Sequence, residues 1–300
     1  MISISRILIL ADIHGNIQAV SKLLSIIKKE QWLIDLILIA GDLPETTPIS
    51  LMLQYILSHG NLSKSKYTKW VYKEGGRRIF VNKQIKSVKA ILALLASLKA
   101  PIVYVPGNVD SYEAQKVLKS WTASEVHFLN AKVLKLGSLQ IWGFGGTVFP
   151  PKRHKEPLCD MEFSPNDFSS QLNPLFKIST DTSSRTFNIL LTHEPPAFCY
   201  KTDERTISGG SDELTKLIQY LKPNLVIFGH YHEFPLIKTQ KDMIFINPGP
   251  LTRYYFALVE IKENLVTKSI KKMNSVAWDF KNMIYSTRFQ QYKELRFTEF

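Results

Sequence analysis

The stretch Ile7-Leu8-Ile9-Leu10-Ala11-Asp12-Ile13-His14, with its later counterpart Leu36-Ile37-Leu38-Ile39-Ala40-Gly41-Asp42, decides how this chain folds. Ile4–Ala11 and Ile34–Ala40 are near-continuous Ile/Leu runs, the pattern of strands buried on both faces. Between them Ile17, Val20, Leu23, Leu24 and Ile27 recur at helical spacing. Strand, helix, strand is a βαβ unit, which places the two strands parallel through a right-handed crossover. Working outward, Val88, Ile91, Leu92, Leu95 and Leu98 predict a second amphipathic helix feeding a strand over Pro101–Val105. A third helix, marked by Leu214, Leu217, Ile218 and Leu221, starts after Ser211 as N-cap, with Asp212 and Glu213 in its first turn. It leads into a strand over Leu225–Phe228.

Glu125–Leu129, Ala131–Leu136, Leu139–Phe144, Phe187–Leu191, Met243–Asn247 and Tyr254–Ile261 also read as strands, separated by short turns and often without a helix between them. The expected fold class is therefore α/β, with two packed mixed sheets and helices on both outer faces, a four-layer αββα sandwich. Phe149 to Ser184 is proline-bearing and polar, lacks clear periodicity, and reads as an excursion on the substrate side. The expected organisation is one domain over residues 1–273, with a basic insertion at 62–89 and a C-terminal extension over 274–300.

Three hundred residues with 45% hydrophobic content give ample core. Cys159 and Cys199 cannot make a disulfide framework and lack a CxxC partner, which fits a reducing compartment. Arg6 and Asp12 cut the first apolar stretch too short for a signal peptide, and no run approaches the ~20 apolar residues of a membrane span. A cytoplasmic protein with no membrane partner is expected. The net charge is +12. Between Leu62 and Lys89, nine basic residues (Lys64, Lys66, Lys69, Lys73, Arg77, Arg78, Lys83, Lys86, Lys89) face the single acid Glu74, a local balance of 9 − 1 = +8. Tyr67, Trp70, Tyr72 and Phe80 interleave with them. The segment reads either as a solvated helical surface whose lysine stems cover apolar neighbours or as an electropositive rim for an anionic substrate. No nucleic-acid motif accompanies the charge, so nucleic acid is not the favoured partner.

Five short segments follow the apolar runs: Asp12-Ile13-His14, Gly41-Asp42, Gly107-Asn108-Val109-Asp110, Thr192-His193 and Gly229-His230-Tyr231-His232. Each presents oxygen or imidazole groups where a strand ends, which is where open α/β sheets place their sites. A lone histidine is ordinarily a satisfied surface or core residue, and Gly-Asp after a strand is ordinarily a turn. Asp12 and His14, two apart as a strand emerges, should share one side of it, and so should His230 and His232. Together Asp12, His14, Asp42, Asn108, His193, His230 and His232 form a ligand set for two adjacent metal ions. Two hard metals sharing a carboxylate are a device for hydrolysing phosphate esters.

These segments resemble the D-x-H, G-D, G-N-[HD], H and G-H-x-H motifs of the calcineurin-like metallophosphoesterase superfamily, from Ile7 to about Ile261. Gly143-Phe144-Gly145-Gly146, Gly209-Gly210-Ser211 and Asn247-Pro248-Gly249-Pro250-Leu251 look like its subgroup of predicted phosphoesterases. The resemblance implies the same sandwich fold. It implies that Asp12, His14 and His232 hold one ion, that Asn108, His193 and His230 hold another, and that Asp42 bridges them. It also implies a bridging hydroxide as nucleophile. Thiolate-free ligands suit Mn, Fe, Zn, Ni or Co, with Mn favoured.

One departure stands out. Val109 occupies the place where relatives carry a histidine as general acid, while Asp110, which orients that histidine, is retained. Asp42, Asn108 and Asp110 are the catalytic positions the resemblance carries over. The expected activity is phosphodiester more than monoester hydrolysis, on a small or nucleotide-like substrate. A metal-dependent nuclease on single strands and a non-catalytic metal-binding scaffold are the alternatives. Asn16, otherwise a helix N-cap, and Arg253, otherwise a surface ion pair, are candidate substrate contacts. Arg205 has the same standing as Arg253. His154 is a candidate replacement acid or an ordinary surface histidine, and Glu194 is left without a role.

Overall fold

In the computed structural model, residues 6–46, 49–60, 64–121, 125–149, 157, 159–178, 186–200, 210–233, 235–261, 269–272 and 294–295 are described. β1 (Arg6–Leu10) passes through α1 (Ile17–Lys29) into β2 (Leu36–Ala40). The crossover to β3 (Ile102–Val105) carries α2 (Ile49–His59), α3 (Lys64–Lys73) and α4 (Arg77–Leu95). After α5 (Tyr112–Lys119) and β4 (Val126–Phe128), a hairpin of β5 (Lys132–Leu136) and β6 (Leu139–Phe144) opens a second sheet. Then come β7 (Thr147–Val148), β8 (Glu162–Phe163), α6 (Pro165–Phe176), β9 (Phe187–Thr192), α7 (Asp212–Leu221) and β10 (Leu225–Ile227). β11 (Leu236–Gln240) and β12 (Met243–Asn247) complete that sheet. β13 (Ala257–Glu260), β14 (Ser269–Lys272) and β15 (Glu294–Leu295) return to the first.

The first sheet has seven strands in the order β15-β14-β13-β1-β2-β3-β4, and the second has six in the order β11-β12-β10-β9-β6-β5. β1 through β4 run parallel, as do β6, β9, β10 and β12, while β13, β11 and β5 pair antiparallel. The mixed character expected from the turn pattern is present. Strand alternation explains the layering. Ile7, Ile9, Leu36, Leu38, Val103 and Val105 meet Ile141, Ile189, Leu191, Leu225 and Ile227 between the sheets. Leu8, Leu10, Ile37, Ile39 and Tyr104 face outward onto α1, α4 and α5, and Trp142, Leu190, Val226 and Phe245 face α6 and α7. The result is the four-layer αββα sandwich. Ser211 caps α7 by accepting from Leu214 N at 3.2 Å, as the sequence predicts.

One expectation needs correction. The 149–184 excursion is not without periodicity. Ser164 caps α6 by accepting from Asp167 N at 3.2 Å, Pro165 fits the first turn, and Phe168, Leu172 and Leu175 are buried. Pro174 inside the helix and the polar residues around Phe168 and Leu172 blur its periodicity in the sequence. The basic segment keeps Lys66, Lys69, Lys73, Arg78, Lys86 and Lys89 exposed over an apolar layer, in keeping with the first of its two readings. Its aromatic residues Tyr67, Tyr72 and Phe80 bury with Leu51, Tyr55, Val71, Val81 and Cys159 in a cluster of their own. Arg77 is committed to structure: it donates to Asp160 Oδ2 at 2.8 Å, Tyr72 O at 2.9 Å and Glu113 Oε2 at 3.1 Å. Of residues 274–300 only Glu294–Leu295 are described, as an edge strand beside β14. No described helix is long and apolar enough to cross a membrane.

Candidate metal centre

All five segments lie at the carboxyl ends of parallel strands: β1 and β2 present Asp12 and Asp42, β3 presents Asn108, β9 presents His193, and β10 presents His230 and His232. Backbone bonds tie these ends together. Asp12 N donates to Gly41 O at 3.2 Å, His14 N to Asp42 O at 2.9 Å, and Gly229 N, in the second sheet, to His193 O at 3.2 Å. The side chains do not converge by strand alternation. Asp12, His14, Asp42 and His230 have φ of 50°, 48°, 51° and 70°. These are left-handed conformations that short polar residues adopt more readily than most, each at a cost of order 1–3 kcal/mol. Turning the chain tightly at each strand end, rather than continuing the strand, swings the donor groups inward. Gly41, with φ of 83°, is needed here because a Cβ would lie 2.7 Å from His193 Cγ and 2.8 Å from Gly107 Cα.

The donors form two groups. In one, His14 Nε2 and His232 Nε2 are 3.0 Å apart, and Asp12 Oδ1 is 3.2 Å from His232 Nε2. In the other, His193 Nε2 lies 3.4 Å from Asp42 Oδ2 and 3.2 Å from Asn108 Oδ1, with the His230 ring centroid 5.2 Å from that of His193. Asp42 Oδ2 is also 4.0 Å from His14 Nε2, which puts this carboxylate between the groups. Asp12 lies close to ligand atoms of both. The tautomer of His193 is fixed, because its Nδ1 lies 2.7 Å from Ala40 O, which can only accept. Its Nε2 lone pair therefore faces two oxygen acceptors, and three acceptors pointing at one another need a positive charge between them. A divalent cation meets that need, so the residues fit a metal.

The titration of these groups fits the same reading. Burial opposes the charge on Asp42, but His193, by charge and hydrogen bond, together with His14 and His230, outweighs it and holds the carboxyl well below the usual range. Burial likewise opposes the charge on His193, and the Asp42 carboxylate outweighs it, lifting the imidazole to about 10. His230 drops to about 4 through burial and the charge of His193, and His14 is lowered by burial. Burial lowers His232, yet the Asp12 hydrogen bond and charge raise it overall. In the ion-free protein a proton on His193 stands where a cation would sit. The folded value of His193 lies above 6.5, so its stabilisation is complete below that pH and fades as pH rises through about 10. An ion at Nε2 must displace this proton, so calorimetric metal titration near pH 8, in buffers of different ionisation enthalpy, should release about one proton per chain. Titrations that release none would contradict the pairing.

The two groups open on a cleft of about 980 Å³, lined also by Asn16, Lys83, Val109, Thr252 and Arg253. Asn16 Oδ1 caps α1 by accepting from Ala19 N at 2.9 Å and still borders the cleft. Arg253 lies 3.9 Å from Glu233 with its side chain about half exposed. Asp110 is not brought to the cleft. It is fully buried and turned inward, accepting from Tyr104 OH and, at 2.5 Å, from Gly107 N. Burial and the nearby charge of Asp42 push it up to about 7. Glu194 is buried behind the cleft, accepts from Val148 N at 3.3 Å, and is pushed up to about 8 by burial. His154 and Arg205 lie outside the described residues. Lys83, marked in the sequence only as one of nine basic residues, lines the cleft, and Glu162, for which the sequence carries no signal, lies 3.3 Å from Asn108 Nδ2 through its Oε1.

The sequence model of the calcineurin-like phosphoesterase family matches residues 5–234. The chain belongs to that family, which makes it a phosphoric ester hydrolase by descent. Among solved structures it is similar to the protein TT1561 of Thermus thermophilus, with 17% identity, a TM-score of 0.57, and 86% of this chain and 95% of that one covered. It is also similar to a dimetal phosphatase from Danio rerio, with 10% identity, a TM-score of 0.54, and 91% and 96% covered. At these identities the likeness is one of fold. No curated protein matches the chain.

Proposed function

We propose that this chain is a dinuclear metal-dependent phosphodiesterase. The observation that carries the reading is the convergence of seven oxygen and imidazole donors, with Asp42 between two groups of them. Asp12, His14 and His232 would hold one ion, Asn108, His193 and His230 the other, and Asp42 both, with Mn the favoured metal. Two such ions supply Lewis acidity, lowering the pKa of water and neutralising charge on the phosphoryl oxygens. The chain's own residues do the rest. Lys83, half-buried in the cleft wall, and Arg253 offer positive charge to an anionic substrate. A cleft of about 980 Å³ has room for both arms of a diester. Lys83 is the one residue of the nine-member basic run that lines the cleft among the described side chains, which supports a small anionic substrate over a polynucleotide. The complete donor set supports a hydrolase over a scaffold. On this reading residues 1–273 are the catalytic domain and 274–300 an extension.

Val109 borders the cleft where relatives carry the acid, and valine has no proton to give. The leaving group then departs largely unprotonated, so the rate should fall steeply as leaving-group pKa rises across a series of aryl phosphodiesters. A flat dependence would show that another acid acts. Val109→His should gain well below the ~10²–10⁴-fold of a positioned acid, because Asp110 is turned toward Tyr104 and Gly107 and does not orient the new ring.

A further inference from the structure

Asn108 reaches the candidate metal centre with an amide, whose two ends differ in kind: Oδ1 can serve a cation and Nδ2 cannot. A free amide rotates between the two presentations, so a metal-facing Asn needs something to hold it. Glu162, on β8, supplies this. Asn108 Nδ2 lies 3.3 Å from Glu162 Oε1, while Oδ1 lies 3.2 Å from His193 Nε2. A carboxylate only accepts, so the NH₂ end must face Glu162 and the carbonyl end must face the metal groups. Glu162 is itself held, since its Oε2 accepts from Cys159 N at 3.1 Å, and Met161 N donates to Asn108 O at 3.4 Å across the same pair of segments.

We propose that Glu162 is a positioning residue for Asn108, fixing which end of its amide is offered to the second ion. The inference rests on the dinuclear reading above. It gives the 149–184 excursion a part in the site: β8 carries the acceptor that orients a ligand delivered by β3. A ligand's outer partner typically contributes 10–100-fold to metal affinity.

The test is metal binding by the full-length protein, read without turnover. Metal-free wild type, Glu162→Ala, Glu162→Gln, Asn108→Ala and the double variant Glu162→Ala/Asn108→Ala are titrated with Mn²⁺ by calorimetry, and with Co²⁺ by visible absorption. Glu162→Ala should weaken one ion about 10–100-fold and leave the other unchanged. Added to Asn108→Ala it should cost nothing further, because the two act through one bond. Glu162→Gln keeps the volume but offers a single acceptor for two donors, so it should weaken the same ion. Its melting temperature, near that of wild type, guards against loss of fold. Wild-type affinity for both ions in Glu162→Ala and Glu162→Gln would overturn the proposal, and so would losses that simply multiply in the double variant. If wild type binds one ion only, the dinuclear reading fails, and the coupling between the two substitutions on that ion still decides the role of Glu162.

Discussion

Asp42→Asn should lower phosphodiester hydrolysis by at least about 10³-fold, the equivalent of some 4 kcal/mol of transition-state stabilisation, while leaving the protein folded. The carboxylate sits 3.4 Å from His193 Nε2 and 4.0 Å from His14 Nε2, so the substitution removes one charge from both donor groups at once. The fold should survive because Asp42 Oδ1 accepts from Val109 N at 3.1 Å, a bond an asparagine oxygen can keep. Without the carboxylate, His193 loses the partner that lifts it to about 10, and its imidazole should titrate nearer the ordinary range. The check combines steady-state rates on an aryl phosphodiester with a histidine NMR titration of the metal-free variant. An Asp42→Asn protein that hydrolyses the ester at the wild-type rate would sink the mechanism.

Gly107→Ala should be nearly as damaging, although it removes no chemical group. A Cβ at this position would lie 2.5 Å from Asp42 Cγ and closer still to Asp42 N and Oδ1. Asp42 cannot yield easily, because its neighbours are fixed from both sides: Asp42 O accepts from His14 N at 2.9 Å, and Gly41 packs against His193. Gly107 N also donates to Asp110, so the loop is held from below. The methyl therefore displaces Asp42 or Asn108 from its place, with an expected 10²-fold or greater loss in kcat from a misplacement of about 1 Å. Overpacking should cost about 1–3 kcal/mol of stability. Rates and melting curves on the purified variant check both numbers, and full activity would mean that this loop does not position Asp42.

Much of this was legible in the chain. The Ile/Leu runs of β1 and β2 announce buried parallel strands because they face cover on both sides, and the ends of β1, β2, β3, β9 and β10 coincide with the five donor segments. The helix N-cap at Ser211 was equally plain. Other features were not legible, for physical reasons. The convergence of Asp12 with His14 comes from left-handed turns at both residues, which the alternation of a strand does not encode. The inward turn of Asp110 depends on Tyr104, a residue that sequence spacing marks only as one more strand position. α6 was hidden by its internal Pro174 and by the polar residues between Phe168, Leu172 and Leu175. The aromatic residues of the basic segment read as interleaved with charge, yet on α3 and α4 they take the buried face and leave Lys66, Lys69, Lys73, Lys86 and Lys89 outside. Arg77 is the sharpest case, since a cation suited to substrate is engaged by Asp160 and Glu113.

The claim that matters most is that two cations, held together by Asp42, make the site a hydrolase. The most direct measurement is to add Mn²⁺ stepwise to metal-free protein and to follow, on the same samples, ions bound per chain and the rate of aryl phosphodiester hydrolysis. Two ions per chain are expected, with activity rising as the second binds and both lost together in Asp42→Asn. Full activity with a single ion, or hydrolysis undiminished in the metal-free protein, would contradict it.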